Sequence, residues 1–201
     1  RADEGMWIPM LLQNNEQDMQ EMGMNITAED IYSINHSSMK DAVVLFDGGC
    51  TGEIVSNQGL LLTNHHCGFD WIQYHSTVEH DYLTHGFWAM SKEEELPCPG
   101  ISAVMLKSME DVTDRVLEGV TKETSNDERA EIVTENIKKV KEEAEANSDY
   151  QVVIKSFYHG NKYYMIYNEV FKDVRMVGAP PSNIGKFGGD TDNWVWPRHT
   201  G

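Results

Sequence analysis

Asn64-His65-His66-Cys67 holds two imidazoles and a thiol side by side. An imidazole changes charge near neutral pH, so it can act as a general base or bind a metal. A thiol can be a nucleophile, a zinc ligand or half of a disulfide. The apolar run Leu60-Leu61-Leu62-Thr63 leads into this group, and Gly68 follows it. Further histidines, His75, His80 and His85, recur at steps of five. Such a step turns a helical side chain by about 140° and switches faces in a strand, so they share a ligand face only through loops. A zinc reading of His65, His66, Cys67 and these histidines is therefore the weakest of the alternatives, and no metal is expected. A hydroxyl nucleophile is harder to find, because no serine sits in a Gly-x-Ser-Gly setting. Asp190 and Asp192 lie in a polar, glycine-rich stretch, whereas a carboxylate that orients a histidine usually opens a buried apolar strand.

The elements around the group suggest how it is held. Cys50-Thr51-Gly52-Glu53-Ile54-Val55 and residues 60–63 read as two strands, with Ser56-Asn57-Gln58-Gly59 as the turn. Cys50 and Cys67 then stand near the outer ends of one hairpin. A disulfide between them would pin the segment carrying His66 and would place the chain in an oxidising compartment. The alternative is three reduced, buried thiols. Cys98, in Leu96-Pro97-Cys98-Pro99-Gly100, is free or paired outside this chain. In a strand His65 would face away from His66 and serve structure.

The rest of the chain reads as a frame. Residues 9–24 carry Leu11, Leu12, Met19 and Met22 among Gln, Asn and Glu, which predicts an amphipathic helix whose methionines pack a core. Thr27-Ala28-Glu29-Asp30 reads as a capped short helix and Ser125-Asn126-Asp127-Glu128 as a capping box. The second opens a helix to about residue 147, with Val133, Ile137, Val140 and Ala144 as its apolar stripe. Strands are expected at 42–46, 101–109, 150–158, 162–167 and 169–177, with His159-Gly160-Asn161 as a tight hairpin. No internal repeat and no low-complexity linker interrupts them.

The totals exclude several classes. The net charge of −17 over 201 residues argues against nucleic acid and anionic membrane surfaces, since phosphate binding needs clustered Lys and Arg. No apolar run is long enough to span a bilayer as a helix. Ala2-Asp3-Glu4 reads as a mature N-terminus left by cleavage of a signal. Hydrophobic residues make up 40% of the chain, enough for one large domain or for one and a half small ones.

A strand, a small polar pair, a histidine and a cysteine bonded back to the preceding strand resembles the way chymotrypsin-like serine peptidases hold their base. The resemblance narrows further. Glu4-Gly5-Met6-Trp7, Gly52-Glu53-Ile54-Val55, Thr63-Asn64-His65-His66-Cys67-Gly68, Gly86-Phe87-Trp88-Ala89 and Gly188-Gly189-Asp190-Thr191-Asp192-Asn193-Trp194 are similar to serine peptidase family 46. This is the bacterial dipeptidyl-peptidase 7 and 11 group.

The resemblance implies a mainly β fold with added helices, a partial chymotrypsin-like antiparallel barrel. Residues 1–201 would be the N-terminal part of the catalytic domain, with a second barrel and a helical cap downstream. It implies release of dipeptides from free peptide N-termini through a Ser-His-Asp acyl-enzyme, without a cofactor, in the periplasm or at the cell surface. His66 is then the base. The family's Ser lies far downstream, and its Asp follows an Arg-His-Thr-Gly segment like the one at residues 198–201, so this stretch alone is expected to be inactive.

The pair Asn193 and Trp194 would meet the substrate's α-amino group, although composition alone favours an apolar plug anchoring the loop. A homodimer of the full-length protein is left open, as is the preference for acidic or apolar residues before the cut bond. The competing reading from another class is a non-catalytic module that holds peptide termini on a peptidase-like barrel.

Overall fold

The structure, a computed structural model, describes residues 9–185. A 3₁₀ segment, Pro9–Asn15, leads into α1 (Glu16–Glu21) and then α2 (Ala28–Ile31). Strands β1 (Val43–Phe46), β2 (Cys50–Ile54) and β3 (Leu61–Thr63) precede α3 (His65–His75) and α4 (Tyr82–His85). There follow β4 (Phe87–Trp88), β5 (Leu96–Pro97), β6 (Ala103–Asp111), α5 (Thr113–Val116) and the long α6 (Asn126–Ala146). The remainder is β7 (Gln151–Phe157), β8 (Lys162–Phe171), β9 (Arg175–Met176), β10 (Gly178–Ala179) and α7 (Ser182–Gly185).

This is a mixed helical and antiparallel-sheet fold with open sheets. The expectation of a mainly β chain with a barrel in progress is corrected in that respect. Among the described residues no sheet closes, and helices occupy at least as much of the chain as strands. The chain divides into two compact units. One unit holds the described residues up to Asp41 together with Met105–Val170. The other holds Ala42–Val104 and the described residues from Phe171 onward.

In the first unit the strand order is β6-β8-β7, with β7 and β8 antiparallel from Gln151↔Asn168 to Phe157↔Lys162. Tyr158, His159 and Gly160 make the hairpin link, all at positive φ, and the Arg129 guanidinium donates to the Gly160 carbonyl at 2.6 Å. Helix α6 starts where its capping box predicts: the Glu128 N–H donates to Ser125 Oγ at 3.3 Å and the Ser125 N–H to Glu128 Oε2 at 3.0 Å. Val140, with Val133, Ile137 and Ala144, packs on Val112, Val116, Val152, Tyr163 and Met165. Fully burying a side chain such as Val140 or Val152 contributes roughly 1.5–3 kcal/mol. Asn136 donates to the carbonyls of Val116 and Glu118 at 3.0 and 2.8 Å, satisfying acceptors left over where α5 ends.

The segment 9–24 departs from expectation. It is not one helix but a 3₁₀ turn followed by six α-helical residues. Asn14-Asn15 favours helix starts over helix interiors, and Gly23 (φ 110) marks its end. Leu12 is buried, yet Met22 is 72% exposed, so the methionine face is not wholly a core face.

One exposed ion pair in this unit gives a pH prediction. Lys162 Nζ lies 2.8 Å from Asp111 Oδ2, and the Thr113 N–H donates to Asp111 Oδ1 at 2.9 Å. The lysine, then Thr113, hold the Asp111 carboxyl down from 3.8 to about 2. A carboxylate with a lowered folded-state pKa adds stability that is fully present above its unfolded value. That stability is lost as pH falls through the folded one, here between 3.8 and about 2. The carboxyl carbon shift of Asp111 should titrate near 2 and move back toward 3.8 in Lys162→Met. An ordinary midpoint in the parent protein would refute the pair.

In the second unit the order is β3-β2-β1-β6, where β6 contributes Ala103 and Val104 opposite Phe46 and Leu45. Asp47 and Gly48, both at positive φ, turn β1 into β2. Phe46, Cys98 and Ile101 are the buried core, with Leu61, Trp71, Val174 and Met176 packed against them. The strand expected at 169–177 is broken. β8 ends at Phe171, and Arg175 grips Asp173 through two hydrogen bonds of 2.9 and 2.8 Å before β9 begins. Such a bidentate guanidinium–carboxylate clamp fixes the bend. Two short ladders complete the unit, β4 with β10 and β5 with β9.

Candidate functional site

The site is built from the hairpin upward. Gly59 (φ 80) and Ser56 make the turn, where Ser56 Oγ accepts from the N–H of Gln58 and of Leu60 at 3.2 and 3.0 Å. β2 and β3 then pair Ile54↔Leu61, Glu53↔Leu62 and Gly52↔Thr63. A Cβ at Gly52 would stand 2.8 Å from Leu61 Cδ2 and 3.2 Å from the Leu62 carbonyl oxygen, so the Leu61 side chain would have to shift to admit one. Thr63 Oγ1 donates to the Thr51 carbonyl at 2.8 Å and ends the ladder.

Here the structure corrects the strand reading of His65, His66 and Cys67. Asn64 is extended (φ −77, ψ 148) and α3 begins at His65. The Cys67 N–H donates to the Asn64 carbonyl at 3.0 Å and closes the first turn. Successive helical residues differ by about 100° in direction. His65 is accordingly buried, its ring 5.9 Å from that of Phe69, while His66 is exposed.

A disulfide joins Cys50, the first residue of β2, to Cys67. It locks the opening turn of α3 to the hairpin at a Cα–Cα distance of 6.2 Å. A ring nitrogen of His66 and the two sulfurs all lie within 4.8 Å of one another. Both sulfurs are bonded, so the trio holds no metal in this state. The bond closes a loop over a separation of 17 residues, worth about 3 kcal/mol in the chain-entropy account. Chemical denaturation of Cys50→Ser/Cys67→Ser should show a loss near that size. A loss below about 1 kcal/mol would mean that packing alone holds α3.

Beyond its first turn α3 is held by burial. Ile72 is 3% exposed, Trp71 packs on the Phe46 core, and Ser76 Oγ donates to the Ile72 carbonyl at 2.7 Å. His75, His80 and His85 make separate contacts. His75 Nε2 lies 3.1 Å from the Pro97 carbonyl, His80 stacks near Tyr82, and His85 is in α4. Cys98 is free, buried in the core, and burial pushes its thiol up, only partly offset by the Met176 backbone. It is therefore a poor nucleophile.

Sequence reasoning gave no packing role to Gly52, which lies close under Leu61, or to Trp71, which packs α3 on the core. A glycine inside a strand pattern was the available signal for the first. Asn193, Trp194, Asp190 and Asp192 lie outside the described residues. A cavity of about 270 Å³ in the first unit, lined by Glu110, Arg115, Glu143 and Tyr167 among others, contains no histidine or cysteine.

An exposed imidazole on a helix start cross-linked to a sheet can accept a proton from a hydroxyl brought to it, with little reorganisation of its own. Among the described residues no helix is long and apolar enough to cross a membrane.

Comparison with known proteins gives the family. The family model described as Peptidase S46 matches residues 2–201. An Asp/Glu-specific dipeptidyl-peptidase of Flavobacterium psychrophilum is 57% identical over 198 residues, covering 98% of this chain and 28% of that protein. A dipeptidyl-peptidase 7 of Capnocytophaga gingivalis is 49% identical over 202 residues, covering 100% of this chain and 28% of the relative. The crystal structure of Porphyromonas endodontalis DPP11 in complex with the dipeptide Arg-Glu superposes with a TM-score of 0.77 at 50% identity, over 99% of this chain and 30% of that one. The chain spans about 28% of the length of these curated relatives.

Proposed function

Because this chain belongs to the peptidase S46 family, we propose that it supplies the general base of a serine dipeptidyl-peptidase that removes dipeptides from free peptide N-termini. His66 accepts the proton of a serine hydroxyl as that oxygen attacks the second peptide carbonyl. It then returns the proton to the leaving amine. The acylated dipeptide is released by water, with His66 again as base, and no cofactor takes part. The serine, and the carboxylate that fixes the imidazole, belong to the rest of the full-length protein. One observation carries this reading: an exposed His66 sits one residue before a cysteine bonded to the adjoining strand.

Asn193 and Trp194 receive the substrate's α-ammonium, the amide oxygen accepting its protons and the indole giving a low-dielectric wall. The strands β1, β2, β3 and β6 form part of a chymotrypsin-like barrel that further sequence completes, followed by a second barrel and a helical cap. A disulfide beside the base suits the periplasm or the cell surface. The test is product analysis with full-length protein. Peptides with acidic and with apolar second residues are offered in parallel, each with a free or an acetylated α-amino group. Dipeptides should appear from free peptides only; release from acetylated peptides, or none at all, would refute the reading.

A further inference from the structure

We propose that Cys50, His66 and Cys67 form a redox-gated zinc site, closed while the disulfide is intact and able to hold one Zn²⁺ when it is reduced. Zinc takes thiolate and imidazole ligands in a tetrahedron, with bonds of about 2.3 and 2.0 Å. Ligand atoms on such an ion are roughly 3.5–3.8 Å apart. The His66 nitrogen and both sulfurs already lie within 4.8 Å of one another, on backbones 6.2 Å apart at the cysteines. On reduction the two sulfurs, bonded to each other here, separate to that spacing and the imidazole turns toward them, each by rotation of its side chain.

The elements that set this geometry do not depend on the disulfide alone. Cys50 is paired opposite Phe46 in the sheet, and Cys67 is fixed by its bond to the Asn64 carbonyl. The side chains of Ile72 and Trp71 anchor the helix behind them. Cys98 is buried in the core that Cys50 and Cys67 pack against and is not among the three donors.

The chemistry balances with a dithiol as reductant. The dithiol gives two electrons, becomes a cyclic disulfide, and leaves two thiols on Cys50 and Cys67. Zn²⁺ then displaces both thiol protons to form two Zn–S bonds. His66 donates its ring lone pair, and water takes the fourth position, the open arrangement of three-ligand zinc sites. Oxidation by a small-molecule disulfide reverses the sequence and expels the ion. The consequence for catalysis rests on the assignment of His66 as base: a metallated imidazole accepts no proton, so zinc would silence a reduced enzyme.

The test uses full-length protein, reduced by a dithiol that is then removed without oxygen. Zn²⁺ is titrated against a chromophoric chelator, and Co²⁺ reports thiolate ligation by its charge-transfer band. Cys50→Ser/Cys67→Ser serves as the background for any other site. Reduced protein should bind one zinc above that background, at least about 100-fold more tightly than oxidised protein, and His66→Ala should weaken it by about tenfold or more. Equal binding by reduced and oxidised protein, or by reduced protein with and without His66, overturns the site. Loss of helical circular dichroism on reduction that zinc does not restore also overturns it. Zinc bound at these three residues with dipeptide release unimpaired would leave the site standing and refute His66 as base.

Discussion

His66→Ala in the full-length protein is expected to lower kcat by roughly 10⁴- to 10⁶-fold while leaving KM nearly unchanged. The imidazole is the only group in the proposed chemistry that must both take and return a proton, and a methyl group can do neither. The residue is exposed and its side chain is not part of the core, so its loss should hardly move the unfolding midpoint. His65→Ala provides the contrast. That ring is buried against Phe69, and truncating it should cost about 1–3 kcal/mol of stability through the cavity left behind, with turnover changed far less. If His66→Ala retained near-normal kcat, or if His65→Ala were the more damaging to turnover in folded protein, the base would be misassigned.

The second large effect is expected at Asn193 and Trp194. An enzyme that counts two residues from a free terminus must bind an ammonium at a fixed distance from the cut bond. The alternative is that Trp194 is an apolar plug in a glycine-rich stretch, with Asn193 incidental. The two readings separate on a pair of dipeptidyl reporters, one with a free amine and one acetylated. Asn193→Ala should raise KM for the free amine by about tenfold or more, the cost of leaving an ammonium without its acceptor. It should also shrink the preference over the acetylated reporter. Unchanged preference in both Asn193→Ala and Trp194→Ala would reduce the pair to a plug.

What could be read from the residues was the local chemistry. The boxes at Thr27/Asp30 and Ser125/Glu128 close over three residues and are written in the chain itself, and both are present. The hairpin of β2 and β3 was legible from its serine- and glycine-bearing turn. The start of α3 was not. Asn64 makes no side-chain cap hydrogen bond, and the histidines, cysteine and glycine that follow are weak helix formers. That helix exists because Ile72 and Trp71 find a core and Cys67 finds Cys50, which is tertiary information. The ladders β4–β10 and β5–β9 were hidden for the same reason: they join residues about 80 to 90 positions apart. His65 was assigned a structural role from strand alternation, whereas the helical turn of about 100° per residue is what separates it from His66.

The most direct test of His66 as the base of a serine nucleophile is the rate of labelling by a fluorophosphonate, which reacts with a hydroxyl only when a neighbouring base activates it. Full-length wild-type protein should be labelled on a single serine. His66→Ala, folded by circular dichroism, should be labelled more slowly by a factor on the order of 10³ or more. Wild-type protein that takes no label, or a His66→Ala variant labelled as fast as wild type, would contradict the assignment.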